Sequence, residues 1–227
     1  MKSIEFWLDP ISPFAYLAFR RLPEALEGLS YRVTYRPILF AALLRHWAHK
    51  GPAEIEPKRA WTFRHVHWLA QHHGIALQTP AEHPFNPLAL LRLAHAAAGP
   101  DGAPNRHACS AIFEHVWQSG GADANEPARL AALTMRLVPR LDPAGAVAKQ
   151  ALKDATAAAI ERGLFGVPTF GVDGRLFWGF DALEMLAGCV RGDAWFDAGG
   201  AWEREGAPRA GVSRRVELSH GETKPSG

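Results

Sequence analysis

The stretch from Phe6 to Leu22 limits what this chain can fold into more than any other part of it. Up to Leu8 it is a short apolar run that reads as a buried strand. After Ser12 the spacing changes, and Phe14, Leu17, Ala18 and Leu22 fall on one face of a helix. Ser12 is a good N-cap, and Pro13 suits the first helical position, where its missing N–H is not needed. A strand running straight into a helix aims unpaired N–H groups and the positive dipole end at whatever sits beside Ser12. On this stretch alone, Ser12 is either a cap and nothing more, or a cap that also meets a ligand. Gly28-Leu29-Ser30 ends the helix, and Tyr31 to Arg36 alternates as a second strand closed by Pro37. Strand–helix–strand normally puts both strands parallel in one sheet.

Beyond Pro37 the chain changes in kind. Ile38–Lys50, Pro57–His73, Pro87–Ala98, Asn105–Ser119, Pro127–Val138 and Pro143–Arg162 carry helical spacing or Ala-rich composition, and several begin at Pro and stop at Gly. The pattern then reverts. Phe165 to Gly179 reads as two short strands around the Asp173-Gly174 turn, and Asp181 is placed to cap a final helix from Ala182 to Val190. The chain is therefore α/β: βαβ, a large all-helical insertion, then ββα. Residues 1–37 plus 163–202 form one small mixed sheet with its helices, and residues 38–162 form an insertion roofing a cleft. The polar tail, residues 203–227, has little to bury and is expected to be disordered.

Composition removes several function classes. A formal net charge of +2 over 227 residues, with no basic block, argues against nucleic acid as a partner. No run is long enough to span a bilayer, and Glu5 and Asp9 interrupt any apolar leader core. The two cysteines, Cys109 and Cys189, are far apart and form no Cys-x-x-Cys pair. They fit a reducing cytoplasm and argue against a disulfide scaffold or a thiolate metal site. His46, His49, His65, His67, His72 and His73 crowd two helical stretches, yet none forms an i, i+4 pair with an interleaved carboxylate, so no metal is expected.

Four constellations remain. Val167-Pro168, after Gly166, is a candidate cis bond opening a strand, and there the Val167 N–H and C=O would be free to pair with an extended peptide. The alternative is a trans proline at an edge strand. Trp178-Gly179-Phe180-Asp181 lies at a second strand-to-helix junction, where Asp181 is a cap or a partner for an ammonium group. Lys50, Lys58 and Arg59 are ordinary solvated charges unless the insertion closes over Ser12, in which case one of them faces an anionic substrate. Asn86 is a helix cap, a lining residue, or both.

The order Ser12-Pro13-Phe14, Gly166-Val167-Pro168-Thr169, Trp178-Gly179-Phe180-Asp181 around a helical insertion resembles the 2-hydroxychromene-2-carboxylate isomerases. These are kin of kappa-class glutathione transferases and of DsbA-type thioredoxin-fold proteins. The resemblance reaches about Arg191. It implies a thioredoxin-like fold with a helical insertion domain, a cytoplasmic homodimer, and glutathione as cofactor. Ser12-Pro13-Phe14-Ala15 stands where a redox thioredoxin carries Cys-x-x-Cys, so dithiol chemistry is gone and Ser12 would hold the glutathione sulfur. Val167 would pair with the cysteinyl backbone, and Trp178, Gly179, Phe180 and Asp181 would take the γ-glutamyl end. The implied reaction is a cis–trans change in a ring-opened aromatic pyruvate by reversible thiol addition. Its small aromatic carboxylate substrate would be met by Lys58, with Asn86 and His49 lining the site. Where the family often carries Asn before the Gly-Pro break, this chain has His49-Lys50. Two rival readings are a glutathione transferase acting on electrophiles at the same site, and a redox-silent module binding extended peptides.

Overall fold

The strand-to-helix switch at Ser12 orders the sheet around it. In the computed structural model, which describes residues 1–206, β1 (Lys2–Leu8) runs into α1 (Pro13–Ala25), with Ser12 as N-cap and Pro13 in the first turn. Strand β2 (Tyr31–Pro37) lies parallel to β1, with Lys2 beside Tyr31 and Leu8 beside Pro37. Six α-helices then intervene before the sheet resumes. They are α2 (Phe40–His46), α3 (Glu56–His72), α4 (Leu88–Ala96), α5 (Arg106–Trp117), α6 (Pro127–Leu137) and α7 (Ala146–Glu161). Strands β3 (Thr169–Val172) and β4 (Arg175–Trp178) form a hairpin. Asp173 and Gly174 both take positive φ at its turn, which matches the twist of the flanking strands. β3 pairs antiparallel with β1, giving the order β2-β1-β3-β4, and α8 (Leu183–Arg191) completes the βαβ–ββα arrangement.

Because side chains alternate across a strand, β1 is buried on both faces. Phe6 joins an aromatic core with Phe170 at 4.5 Å, and Phe19 of α1 continues it to Phe113 of α5 at 5.2 Å. Trp7 points the other way, into a cluster with Ile38, Leu43, Ala159, Leu164 and Val167. The insertion is therefore bound to the sheet on both of its faces. His95 Nε2 also ties it to β2, donating to the Pro37 carbonyl at 3.0 Å, while His115 Nε2 donates to the Ala124 carbonyl at 2.9 Å within the insertion. Burial lowers both of their pKa values, so both are neutral donors at pH 7.

The structure differs from the sequence reading at the last helix. α8 begins at Leu183, its N-cap is Ala182, and no side chain caps it, so Asp181 is not spent as a cap. The chain divides into two compact units, the first ending at Asp193 and the second beginning at Ala194, so residues 194–202 fall outside the first. Within the second unit the described residues include a turn at Ala194–Phe196 and α9 (Ala201–Arg204), with Trp195, Phe196 and Trp202 in mutual ring contact. The expected disorder of residues 203–227 therefore meets a helical turn at its start, while 207–227 lie outside the described residues.

One glycine in the central strand is there for space. A Cβ on Gly171 would stand 2.7 Å from the ring of Trp7, which is itself packed under the Arg162 guanidinium at 4.6 Å. Gly171→Ala is expected to destabilise the fold by about 1–3 kcal/mol, the usual cost of overpacking. The urea midpoint measures this, and an unchanged midpoint would mean that Trp7 moves freely.

Candidate functional site

Four residues, Asp9 to Ser12, join β1 to α1, and each is fixed by a hydrogen bond. The Asp9 carboxylate accepts from the Ile11 N–H at 3.0 Å through one oxygen and from the Phe40 N–H at 2.9 Å through the other. Trp117 Nε1 donates to the Pro10 carbonyl at 2.9 Å. His83 Nε2 donates to the Ile11 carbonyl at 2.8 Å, and since a carbonyl only accepts, that nitrogen carries the proton. The Ser12 N–H closes the turn onto the Asp9 carbonyl at 3.0 Å.

The Ser12 hydroxyl is thereby held in place. It accepts from the Ala15 N–H at 3.2 Å and donates to the Val167 carbonyl at 3.4 Å, a long bond that is easily exchanged. Ser12 and Val167 lie 155 residues apart in sequence and face each other directly. The Val167–Pro168 bond is cis, and β3 is an inner strand rather than an edge. The Val167 N–H has no partner among the described residues.

The Trp178–Asp181 segment adjoins the same loop. The Gly179 N–H donates to the Pro168 carbonyl at 2.9 Å, and Gly179 has φ +105°, which favours glycine. A Cβ on Gly179 would meet Asp181 Oδ1 at 2.3 Å, so the carboxylate is folded back against this backbone. The Trp178 indole lies across Gly166, where a Cβ would stand 2.4 Å from Nε1, and the ring remains 53% exposed. Asp181 is exposed and makes no hydrogen bond or ion pair with a described residue.

Helix α3 touches this arrangement at two places. His65 meets Phe14, next to Ser12, at 5.8 Å between rings, and His73, just past the helix end, meets Phe180, next to Asp181, at 5.3 Å. Eight residues separate them, or about 12 Å along a helix. An extended tripeptide spans about the same length.

A family model for DsbA-like thioredoxin domains matches residues 3–191. The chain belongs to that family. Its relatives include a 2-hydroxychromene-2-carboxylate isomerase of Sphingobium xenophagum, 30% identical over 197 residues, which cover 82% of this chain and 96% of that one. Human glutathione S-transferase kappa 1 is 23% identical over 211 residues, covering 86% and 92%. Among solved structures, a 2-hydroxychromene-2-carboxylate isomerase superposes with a TM-score of 0.71 at 24% identity, covering 83% of this chain and 94% of that one. The fold is thus thioredoxin-like with helices inserted between β2 and β3, in the branch that holds these isomerases and kappa-class transferases.

In this DsbA-like protein the other expected site residues are less tightly placed. Lys58 is exposed in the first turn of α3 and has no partner among the described residues. The His49 ring faces the Lys50 carbonyl at 3.4 Å, and Asn86 Oδ1 accepts from the Leu88 N–H at 3.0 Å, a local turn just before α4, whose N-cap is Pro87. None of the three is hydrogen-bonded to Ser12 or Val167. Conversely, Arg59 stands close enough to His83 to help lower its pKa, after burial, which is the larger cause. His83 is in turn hydrogen-bonded to the residue before Ser12. Both cysteines are buried and unpaired, and burial pushes both thiols up, so neither supplies a thiolate. No group of three or more potential metal ligands occurs among the described residues, and no described helix is long and apolar enough to cross a membrane.

Asp9, His83 and Trp117 are the residues whose place at the site the sequence does not show. A buried acid in an apolar run is the one available signal. Desolvation pushes the Asp9 carboxyl up to about 7, against the pull of its two N–H partners. A raised acid pKa means that the fold favours the protonated form. Its contribution is complete below the ordinary value of 3.8 and is lost as pH rises through about 7. Wild type measured against Asp9→Asn is expected to lose on the order of a few kcal/mol between these limits. Urea midpoints across pH read this, and parallel profiles for the two proteins would contradict it.

Proposed function

We propose that this protein is a glutathione-dependent isomerase of 2-hydroxychromene-2-carboxylate-like aromatic pyruvates, working in the cytoplasm as a homodimer. The observation that carries the reading is the facing pair of the Ser12 hydroxyl and the Val167 backbone, with an unspent acid at Asp181. The names of the relatives, isomerase and glutathione transferase, support it at family level.

The residues present fit glutathione. The free Val167 N–H and its weakly held carbonyl suit the backbone of an extended peptide pairing as an added strand. Asp181, with no protein partner among the described residues, suits the γ-glutamyl ammonium, beside the Trp178 ring and the Gly179–Phe180 backbone. When bound there, glutathione supplies a thiol nucleophile that adds reversibly to a conjugated carbon, so that the former double bond can rotate.

The protein's own part is electrostatic and positional. Ser12 swings its O–H from the Val167 carbonyl onto the sulfur and, with the N-terminus of α1, favours the anionic thiolate. The Ala15 N–H keeps the hydroxyl oxygen in place during that exchange. Lys58 and Arg59, in the first turn of α3, are the cations available for the substrate carboxylate, with Asn86 and His49 as further lining groups. Phe14 and Phe63, in ring contact with His65 and His83, offer apolar surface for an aromatic body.

Ser12→Ala is expected to lower turnover by roughly 100-fold and to cost about 1 kcal/mol of cap stability, with glutathione affinity kept within a few-fold. Steady-state kinetics and calorimetry separate these effects, and unchanged turnover would reduce Ser12 to a cap. Lys58→Ala and Arg59→Ala are expected to raise KM for the carboxylate substrate with glutathione affinity intact. Loss of glutathione affinity instead would place these cations on the other ligand. A stable thioether product without isomerisation would assign the site to transferase chemistry.

A further inference from the structure

A crevice of about 780 Å³ opens at the far end of α1 from Ser12, between that helix, β2 and the 99–106 loop. Leu22, one of its walls, lies ten residues after Ser12, or about 15 Å along the helix axis. The volume lies in the range of small-molecule sites. Leu22, Pro23, Val33 and Pro104 give it apolar walls.

Its charges are unbalanced. The Arg106 guanidinium is fixed in advance: it donates to the Tyr35 hydroxyl at 3.1 Å and to the Phe19 carbonyl at 3.3 Å, and it lies 4.3 Å over the Phe19 ring. These bonds use two of its five N–H donors and neutralise none of its charge. Arg140 lines the same crevice with its side chain exposed. Neither arginine has a carboxylate partner among the described residues. Asp101, the one acid among the lining residues, turns an oxygen onto the Ala103 N–H of its own loop. β2 is an edge strand, and no described residue pairs with its outward backbone groups between Tyr31 and Tyr35. Unpaired N–H groups and two guanidiniums beside apolar walls are complementary to a carboxylate carried on a flat apolar body.

We propose that this crevice is a second ligand site, for small carboxylates with an aromatic or otherwise flat apolar body. It is separate from the Ser12–Val167 slot. Arg106 and Arg140 take the carboxylate, and Pro23, Val33 and Pro104 take the body. The proposal stands on charge and shape at the crevice alone and does not depend on what Ser12 does.

The test is titration of the full isotope-labelled chain with 2-naphthoate, followed by amide chemical shifts. Saturable shifts are expected at Val33, Thr34 and Ala103, with the dissociation constant raised at least about fivefold in Arg140→Gln and in Arg106→Lys, and no such shifts with the neutral 2-naphthamide. Arg140→Gln alters an exposed side chain, so it keeps the test informative if Arg106→Lys disturbs the Tyr35 and Phe19 contacts. No shifts at these amides by about 10 mM ligand, shifts confined to Ala15 and Val167, equal response to the amide, or an unchanged constant in Arg140→Gln would each overturn it.

Discussion

The four-residue turn from β1 into α1 is held by hydrogen bonds that come from well outside it. Asp9 reaches the start of α2, Trp117 comes from α5, and His83 from the segment between α3 and α4. A loop at a strand end is ordinarily mobile, and a catalytic hydroxyl on a mobile loop is poorly aimed. Here the helical insertion supplies the rigidity. Two of its partners, Trp117 and His83, are neutral donors, and burial favours the protonated form of the third, Asp9. The Ser12 environment is then governed by the end of α1 and by the Val167 backbone across from it.

The same constraint explains why the fold is split as it is. The two outer segments of the chain make the sheet, and they bring Ser12 and Val167 together across 155 residues. The residues between them fold into helices that clamp the first loop and touch the second: Trp47 donates to the Leu164 carbonyl at 2.8 Å, three residues before Val167. Trp7 packs in one cluster with Ile38, Leu43, Leu164 and Val167, so one buried core joins β1, the insertion and the loop that carries Val167. Glycines at 166 and 179 clear the space that Trp178 and Asp181 occupy.

Much of this is legible in the sequence, because it is written in local chemistry. Ser12-Pro13 announces a helix start whatever it packs against, and Asp173-Gly174 announces a hairpin. The six helices of the insertion show in their spacing and in the prolines and glycines at their ends. The hidden part depends on contacts between residues distant in sequence. Nothing local distinguishes His83 from the other ten histidines, or Trp117 from the other seven tryptophans; each matters because the fold carries it to a particular carbonyl. Asp181 misleads for a subtler reason. Asp before an apolar run reads as a cap, but the first turn of α8 starts one residue later, and the carboxylate folds back onto Gly179 instead. Lys58 and Arg59 are adjacent cations of which the resemblance points to Lys58, whereas it is the charge of Arg59 that adds to burial in lowering the His83 pKa.

The central claim is that the Ser12 hydroxyl and the N-terminus of α1 stabilise a sulfur anion lying against Val167. The ultraviolet thiolate band of the protein–glutathione complex, monitored against pH, measures this directly. The account predicts that bound glutathione loses its thiol proton at least about one pH unit below the free tripeptide, and that Ser12→Ala moves the transition back toward the free value. A bound thiol that titrates as it does in water, or that titrates identically in both proteins, would contradict it.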